Sequence, residues 1–159
     1  MRNDNLNEAF TFVELLVSIT IVGILFAIGY VNFREFSRRQ SVESVARKIR
    51  SDLRIAQSRA LSGDKPSGCD ILIGYNFRVA SITAYELEGV CGNGNTTTKT
   101  VDLANVGISI SSPSPNPILF KAVAQGTNIP AGQTASIVVT LTQANYAITV
   151  SVTGGGEIQ

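Results

Sequence analysis

One carboxylate inside a long apolar stretch is the most chemically informative residue of the sequence. Glu14 is the single charged residue between Phe10 and Phe33. A charged side chain at the centre of a bilayer costs on the order of 3 kcal/mol on insertion scales. Glu14 therefore needs either a cationic partner or a position close to the membrane surface.

A cationic partner would arise if the chain were cut between Ala9 and Phe10. The new α-amino group at Phe10 would lie about one helical turn from Glu14. It would then be within reach of this carboxylate on its own chain or on a neighbouring one, and such a charge pair suits packing between helices. Without the cut, Glu14 is a polar residue near the end of an apolar helix.

Two cysteines, Cys69 and Cys91, both follow the apolar stretch and lie in the more polar part of the chain. In an exported domain they would lie in an oxidising compartment, so we predict a disulfide between them. A bond that closes a loop of about 20 residues stabilises a fold by roughly 3 kcal/mol in the chain-entropy picture. The alternative is a pair of buried free thiols.

The composition excludes much enzymology. The chain has no histidine and a formal net charge of +1, so a histidine-based catalytic dyad is impossible and a zinc site would need mostly carboxylates. A membrane-anchored hydrolase with Ser or Asp chemistry is the enzyme alternative, but the sequence has no G-x-S-x-G elbow, HExxH motif or phosphate loop. We expect no catalytic, cofactor or metal site, although Asp64 and Asp70 could contribute to calcium binding. Three further acids are scattered among predicted turns and strand ends: Glu86, Glu88 and Asp102.

The apolar stretch, residues 10–33, is long enough to cross a membrane. As a helix it would measure about 36 Å, against a hydrocarbon core of roughly 30 Å. A cleaved secretory signal is the alternative, but its apolar core would have about 7 to 15 residues and a small-x-small cleavage site, which is missing before Arg34. We therefore predict a retained transmembrane or filament-core helix at 10–33.

An amphipathic helix is predicted at 34–62, continuous with the apolar one from about Phe10 to Leu61. Ser62-Gly63 and then Pro66 supply the expected stop. Its apolar positions recur at steps of three and four, which marks one face of a helix. They are Val42, Val45, Ala46, Ile49, Leu53, Ala56 and Ala60.

Residues 63–159 change to a period of two and predict a C-terminal β-sheet domain. Alternation is clearest near the end, where Tyr146, Ile148, Val150 and Val152 share one face. We place a weak hairpin turn at Arg78–Ser81, centred on Ala80, and a hairpin loop at residues 143–145. The fold class is α+β, with one long N-terminal helix packed on an antiparallel sheet. The predicted strands are Ile71–Phe77, Val79–Leu87, Val106–Ile110, Ile118–Val123, Ala135–Thr142 and Tyr146–Val152.

The residues around Phe10 and Glu14 resemble the type IV pilin and pseudopilin family. Precursors of that family have a polar leader, a cut before an N-methylated Phe, and Glu as the fifth residue of the mature chain. Here residues 1–9 correspond to the leader, with Ala9 where the family usually has Gly, and Leu15–Leu25 is similar to the start of the family's helix. The segments 47–60 and 152–158 are similar to GspH/FimT-type minor pseudopilins.

This resemblance implies a processing pathway and a set of partners. A prepilin peptidase would cleave between Ala9 and Phe10 and methylate Phe10. The mature chain would sit in the cytoplasmic (inner) membrane with a single pass and a periplasmic or extracellular C-terminal domain. It would then assemble with other pilin or pseudopilin subunits, through an assembly platform, into a type IV pilus or a type II secretion pseudopilus.

Charges near the apolar stretch leave two further questions. Arg34, Arg38 and Arg39 would by themselves favour a cytoplasmic C-terminal domain. The predicted disulfide and the pilin-like motif favour a domain outside the cytoplasm, and we adopt this orientation.

The amphipathic helix is basic, so a DNA-binding minor pilin is the alternative function. A solvated face, or one that pairs with acidic neighbours in a filament, is the favoured interpretation.

Overall fold

The computed structural model describes residues 11–123, 126–141 and 146–159, apart from the side chains of residues 28–34. It contains one α-helix, one short 3-10 helix and seven strands within these ranges. Their bounds are α1 Phe12–Ser62, β1 Leu72–Ser81, β2 Ala84–Cys91, β3 Gly94–Asp102, the 3-10 helix Ala104–Val106, β4 Ile108–Ile110, β5 Ile118–Lys121, β6 Thr134–Leu141 and β7 Ala147–Thr153. This is the predicted α+β class.

The chain forms two compact units, with the boundary between Ser37 and Arg38. The first unit holds the apolar part of α1, and the second holds the rest of α1 together with all seven strands. The leader predicted at residues 1–9 and the predicted cleavage and methylation position at Phe10 lie outside the described residues, as does the hairpin loop predicted at 143–145.

The second unit is built on the apolar face of α1. All seven positions predicted for that face are buried, each with 7% or less of its surface exposed: Val42, Val45, Ala46, Ile49, Leu53, Ala56 and Ala60. They belong to one core cluster with side chains from both sheets, among them the stacked rings of Phe77 and Tyr85 at a centroid distance of 4.9 Å. Burial of this stripe is what holds the amphipathic half of the helix on the domain.

The helix ends where the sequence predicted. Gly63 adopts a left-handed conformation with φ of 66°. Its N–H donates to the carbonyl of Ala60 at 3.3 Å, and the N–H of Asp64 donates to the carbonyl of Arg59 at 3.1 Å. These bonds satisfy carbonyls of the last turn, which is the role of a glycine after a helix.

The strands form two antiparallel sheets instead of the single sheet expected. The first has the order β3-β2-β1-β5 and the second has the order β4-β6-β7. The division arises because β4 pairs with β6, so that Ile110 lies opposite Val139, while β5 returns to β1 with Tyr75 opposite Phe120. The predicted alternation in β7 is confirmed, with Val150 and Val152 fully buried.

The predicted hairpin turn between the first two strands was wrong. β1 continues through Ser81, and the turn consists of Ile82 and Thr83, with Ser81 paired to Ala84. The hydroxyl of Ser81 accepts a hydrogen bond from the N–H of Thr83 at 3.2 Å. A serine hydroxyl thus supports a turn that has no Gly, Asn or Pro.

Strand β3 was missed, because no predicted strand lies between Leu87 and Val106 and residues 92–98 were expected to form a loop. Its residues are mostly polar and exposed, with only Val101 buried, so apolar alternation gave no signal. Threonines nevertheless favour extended structure, and the dipeptide Asn93-Gly94 is a strong signal for a β-hairpin turn. These two features could have located the strand.

Candidate functional site

The first turn of α1 is capped by a threonine. The hydroxyl oxygen of Thr11 accepts a hydrogen bond from the backbone N–H of Glu14 at 3.2 Å, and the N–H of Leu15 donates to the carbonyl of Thr11 at 3.2 Å. Thr-x-x-Glu is the signature of a helix start, which the sequence analysis did not use. The cap places Glu14 in the first turn, where the helix dipole favours a carboxylate.

Glu14 itself is exposed and has no ion-pair partner among the residues that the structure describes. Its predicted partner, the α-amino group at Phe10, lies outside them, together with Ala9. The cleavage position, the methylation position and the charge pair therefore stay predictions. What the structure adds is an exposed carboxylate at the capped start of an apolar helix.

Along residues 12–26 of the first unit, the helix exposes apolar side chains on every side. Its large side chains are 48% to 79% exposed. A helix that is apolar all round normally lies buried in a larger assembly or a membrane. These residues are Phe12, Val13, Leu15, Leu16, Val17, Ile19, Ile21, Val22, Ile24, Leu25 and Phe26. Among the residues described, no helix combines the length and the mean hydropathy of a membrane span.

Two hydroxyl groups within this apolar surface are satisfied by the helix itself. Ser18 donates to the carbonyl of Glu14 at 2.7 Å, and Thr20 donates to the carbonyl of Val17 at 2.8 Å. Hydrogen bonds to carbonyls one turn back let a polar residue face an apolar surrounding at low cost. Glu14 is thus the one charged group of residues 11–27, and it has no such internal partner.

The predicted disulfide is present in the second unit. Cys69 and Cys91 are bonded, with their Cα atoms 5.5 Å apart. Cys91 ends β2 and lies opposite Leu72, close to the start of β1. The bond joins the segment that follows α1 to the first hairpin.

Asp70 reinforces this junction. One of its carboxylate oxygens accepts hydrogen bonds from the N–H of Ile71 at 2.6 Å and the N–H of Asn93 at 3.1 Å. The side-chain amide of Asn93 donates to the carbonyl of Gly68 at 2.7 Å. These bonds to the charged form, led by that from Ile71, hold the pKa of Asp70 below its usual value.

The scattered acids have structural partners. Asp64 pairs with Arg59 at 3.9 Å, while Arg78 pairs with Glu86 and, at 3.0 Å, with Glu88. Asp102 accepts from the N–H of Ala104 at 2.8 Å. Among the described residues no group of three potential metal ligands comes together.

An ion pair with a buried carboxylate, which residue spacing did not predict, ties α1 to the first sheet. Asp52 is 2% exposed. It accepts hydrogen bonds from the hydroxyl of Tyr85 at 2.8 Å and from the ammonium of Lys99 at 2.6 Å. Burial and the neighbouring carboxylate of Asp52 raise the pKa of Tyr85 well above its usual range. The arrangement fixes the helix against β2 and β3.

Four of the seven basic side chains described on α1 are exposed, and the other three are partly buried. Arg47 pairs with Glu43 at 3.8 Å across one helical turn, and Arg39 lies over the ring of Tyr146 at 5.7 Å. Lys48 and Arg54 are exposed. These cations line part of the helix outside its apolar face, as a solvated or pairing surface would require.

One comparison with known proteins concerns the start of the chain and the apolar helix. A family model described as the prokaryotic N-terminal methylation motif matches residues 5–30. The match supports the type IV pilin and pseudopilin family, and it points to a structural subunit processed by a prepilin peptidase and assembled with other pilins. No curated protein matches the chain significantly, and no solved structure does.

Proposed function

We propose that the chain is a prepilin-like subunit that a prepilin peptidase cleaves between Ala9 and Phe10 and methylates at Phe10. The observation that carries this proposal is the capped apolar helix with one exposed carboxylate in its first turn. It coincides with the methylation motif at residues 5–30. The precursor would be held in the cytoplasmic membrane, and its C-terminal domain would lie outside, where the disulfide can persist.

Assembly would proceed by burial of the apolar helix surface. Mature subunits would stack head to tail with their apolar helices in a shared core, because a heterologous contact that does not close on itself produces a helical filament. Glu14 would pair with the α-amino group of a neighbouring subunit, so that the carboxylate is buried together with a cation. The sheets and their loops would remain at the surface of the filament.

The subunit's place is proposed as a minor one. The likeness of segments 47–60 and 152–158 to GspH/FimT-type pseudopilins supports a minor component of a type IV pilus or of a type II secretion pseudopilus. An assembly platform and the other subunits would then be its partners.

Filament incorporation tests the proposal. Filaments would be sheared from cells that produce the chain, with and without an active prepilin peptidase, and the chain would be detected with an antibody against the C-terminal domain. We expect the chain in the sheared fraction only when the peptidase is active. Equal amounts in both strains would contradict the proposal.

DNA binding is a second candidate, favoured by the exposed cations Lys48 and Arg54 on the helix. Residues 154–159 carry no Lys or Arg, so this candidate rests on the cations of the helix. Duplex DNA would be titrated against the full chain at two salt concentrations. Binding that weakens steeply with salt would support this candidate, and no binding at low salt would exclude it.

A further inference from the structure

A half-open cavity of about 250 Å³ lies in the second unit, at the C-terminal end of α1. Its apolar wall comes from Ala60 and Leu61 on the helix and from Phe120 on β5. Its opposite wall is backbone, because Gly155 and Gly156 stand there. Leu61 and Gly155 are exposed, so the cavity can be reached from solvent.

The glycines keep this cavity open. Gly156 has φ of 90°, and a Cβ atom there would lie 2.9 Å from the amide nitrogen of Gln57. That nitrogen donates to the carbonyl of Gly156 at 2.8 Å, which fixes the helix against the tail. At Gly155 an added Cβ would meet no atom closer than 3.9 Å. The space beside Gly155 and Gly156 is therefore open, because glycine has no side chain to fill it.

Two of the residues that line the cavity carry hydrogen-bond donors for which the described part of the chain offers no acceptor. Lys121 is partly buried and lines the cavity, and within the described residues its ammonium makes no hydrogen bond or ion pair. The backbone N–H of Gly155 likewise has no acceptor in the part of the chain that is described. A lysine and a glycine with a backbone N–H are thus among the lining residues, and a cavity lined by a cation, an N–H donor and apolar side chains is complementary to a carboxylate on an apolar body.

The volume limits the size of the ligand. An engineered apolar cavity of about 150 Å³ holds benzene, whereas pockets for drug-sized molecules measure about 300 to 1,000 Å³. A cavity between these sizes suits one branched aliphatic or aromatic side chain. An apolar side chain and a carboxylate on the same residue occur together at the C-terminus of a polypeptide.

We propose that this cavity binds the apolar C-terminal residue of a partner protein. The side chain packs against Ala60, Leu61 and Phe120, and the α-carboxylate accepts from Lys121 and from the N–H of Gly155. Gln159 does not meet these requirements, because its side chain is polar and its backbone is already paired with Ser151 at 3.0 and 3.2 Å. This binding site is independent of leader cleavage and of filament assembly.

Nuclear magnetic resonance of the full ¹⁵N-labelled chain in detergent tests the proposal. The probe is acetyl-Gly-Leu with a free carboxylate, and its amide is the matched control. We expect the free acid to shift the N–H signals of Gly155 and Gly156 in a saturable manner. The amide should bind at least tenfold more weakly, because it lacks the charge. No shift with either probe, or equal binding of both, would overturn the proposal.

Two variants and a third peptide sharpen this experiment. Lys121→Gln should weaken binding of the free acid at least tenfold, and Lys48→Gln, which removes an exposed lysine of the helix, should leave it unchanged. Equal binding by the parent chain and Lys121→Gln would contradict the assigned role of the ammonium. The peptide Gly-Glu-Ile-Gln, copied from this chain's end, should bind weakly. Tight binding of that peptide would indicate a second copy as the occupant and refute a partner with an apolar end.

Discussion

Glu14 is the residue on which assembly depends in this account. Its carboxylate is exposed at the start of a helix whose other described side chains up to Phe26 are uncharged. If such a helix were buried among its copies, the carboxylate would be an unpaired buried charge unless a cation were buried with it. A cut before Phe10 would create an α-amino group one turn away in sequence, and that group would supply the cation.

Replacement of Glu14 tests the charge pair directly. Glu14→Gln keeps the size of the side chain and removes its charge. Since a hydrogen bond to a charged group contributes about 2 kcal/mol, incorporation into sheared filaments should fall roughly thirtyfold.

Ser18→Ala is the matched control for this variant. Ser18 lies one turn further along, and its hydroxyl bonds only within its own helix among the residues described, so incorporation should stay normal. If Glu14→Gln subunits entered filaments as efficiently as the parent, the charge pair would be refuted.

Asp70 makes the stability of the second unit depend on pH. Its pKa in the folded chain lies below the ordinary value of 3.8. A depressed pKa stabilises the folded state above the unfolded value, and this stabilisation is lost as the pH falls through the folded value. Asp70→Asn should therefore melt at a lower temperature than the parent at pH 7, and the gap should narrow below about pH 4. Thermal melting of both chains, followed by circular dichroism at pH 7 and at about pH 3, checks this. A difference in melting temperature that is the same at the two pH values would contradict it.

Residue types predicted some of these roles and not others. Cys69 and Cys91 were predicted to pair because two cysteines in an exported domain have few alternatives. Asp52 gave no signal, because the positions of its partners Tyr85 and Lys99 depend on how the first sheet packs on the helix. Tyr85 lies 33 residues and Lys99 lies 47 residues from Asp52 along the chain, and partners so far apart cannot be matched from spacing alone.

At the scale of elements, the disulfide and the first hairpin form one structural joint. The bond closes a separation of 22 residues, and it lies beside the turn that Asp70 and Asn93 hold. Cross-linking stabilises the fold chiefly by restricting the unfolded chain. The joint therefore controls how firmly the sheets remain anchored to the segment after α1.

Removal of the disulfide should lower stability by about 3 kcal/mol. For a domain of this size the loss corresponds to a melting temperature lower by roughly 10 °C. The parent chain would be melted with and without reductant, and the Cys69→Ser, Cys91→Ser double variant would serve as control. Reductant should lower the melting temperature of the parent and leave that of the variant unchanged, and an unaffected parent would refute the stabilising role.

Elements with a strong apolar period were predictable, and elements without one were not. All seven apolar positions of the helical face recurred at steps of three and four, and all are buried. The edge strand β3 carries threonines and a lysine in place of apolar alternation. Its pairing with β2 supplies backbone hydrogen bonds that a hydropathy pattern does not record. The division into two sheets likewise depends on which strands pair over long distances.

At the scale of the whole molecule, the two units differ in how their apolar surface is treated. The second unit buries its apolar side chains in one cluster against the helix. The first unit exposes its described apolar side chains on all sides. A chain with both properties satisfies its own fold in one part and requires other molecules to cover the other part.

Processing of the proposed kind would leave a functional chain that begins at Phe10. The most direct measurement is mass spectrometry of the N-terminal peptide from the membrane fraction of cells that produce the chain. We expect a peptide that starts with N-methylated Phe10 and lacks residues 1–9. A peptide that still starts at Met1 in cells with an active prepilin peptidase would contradict it.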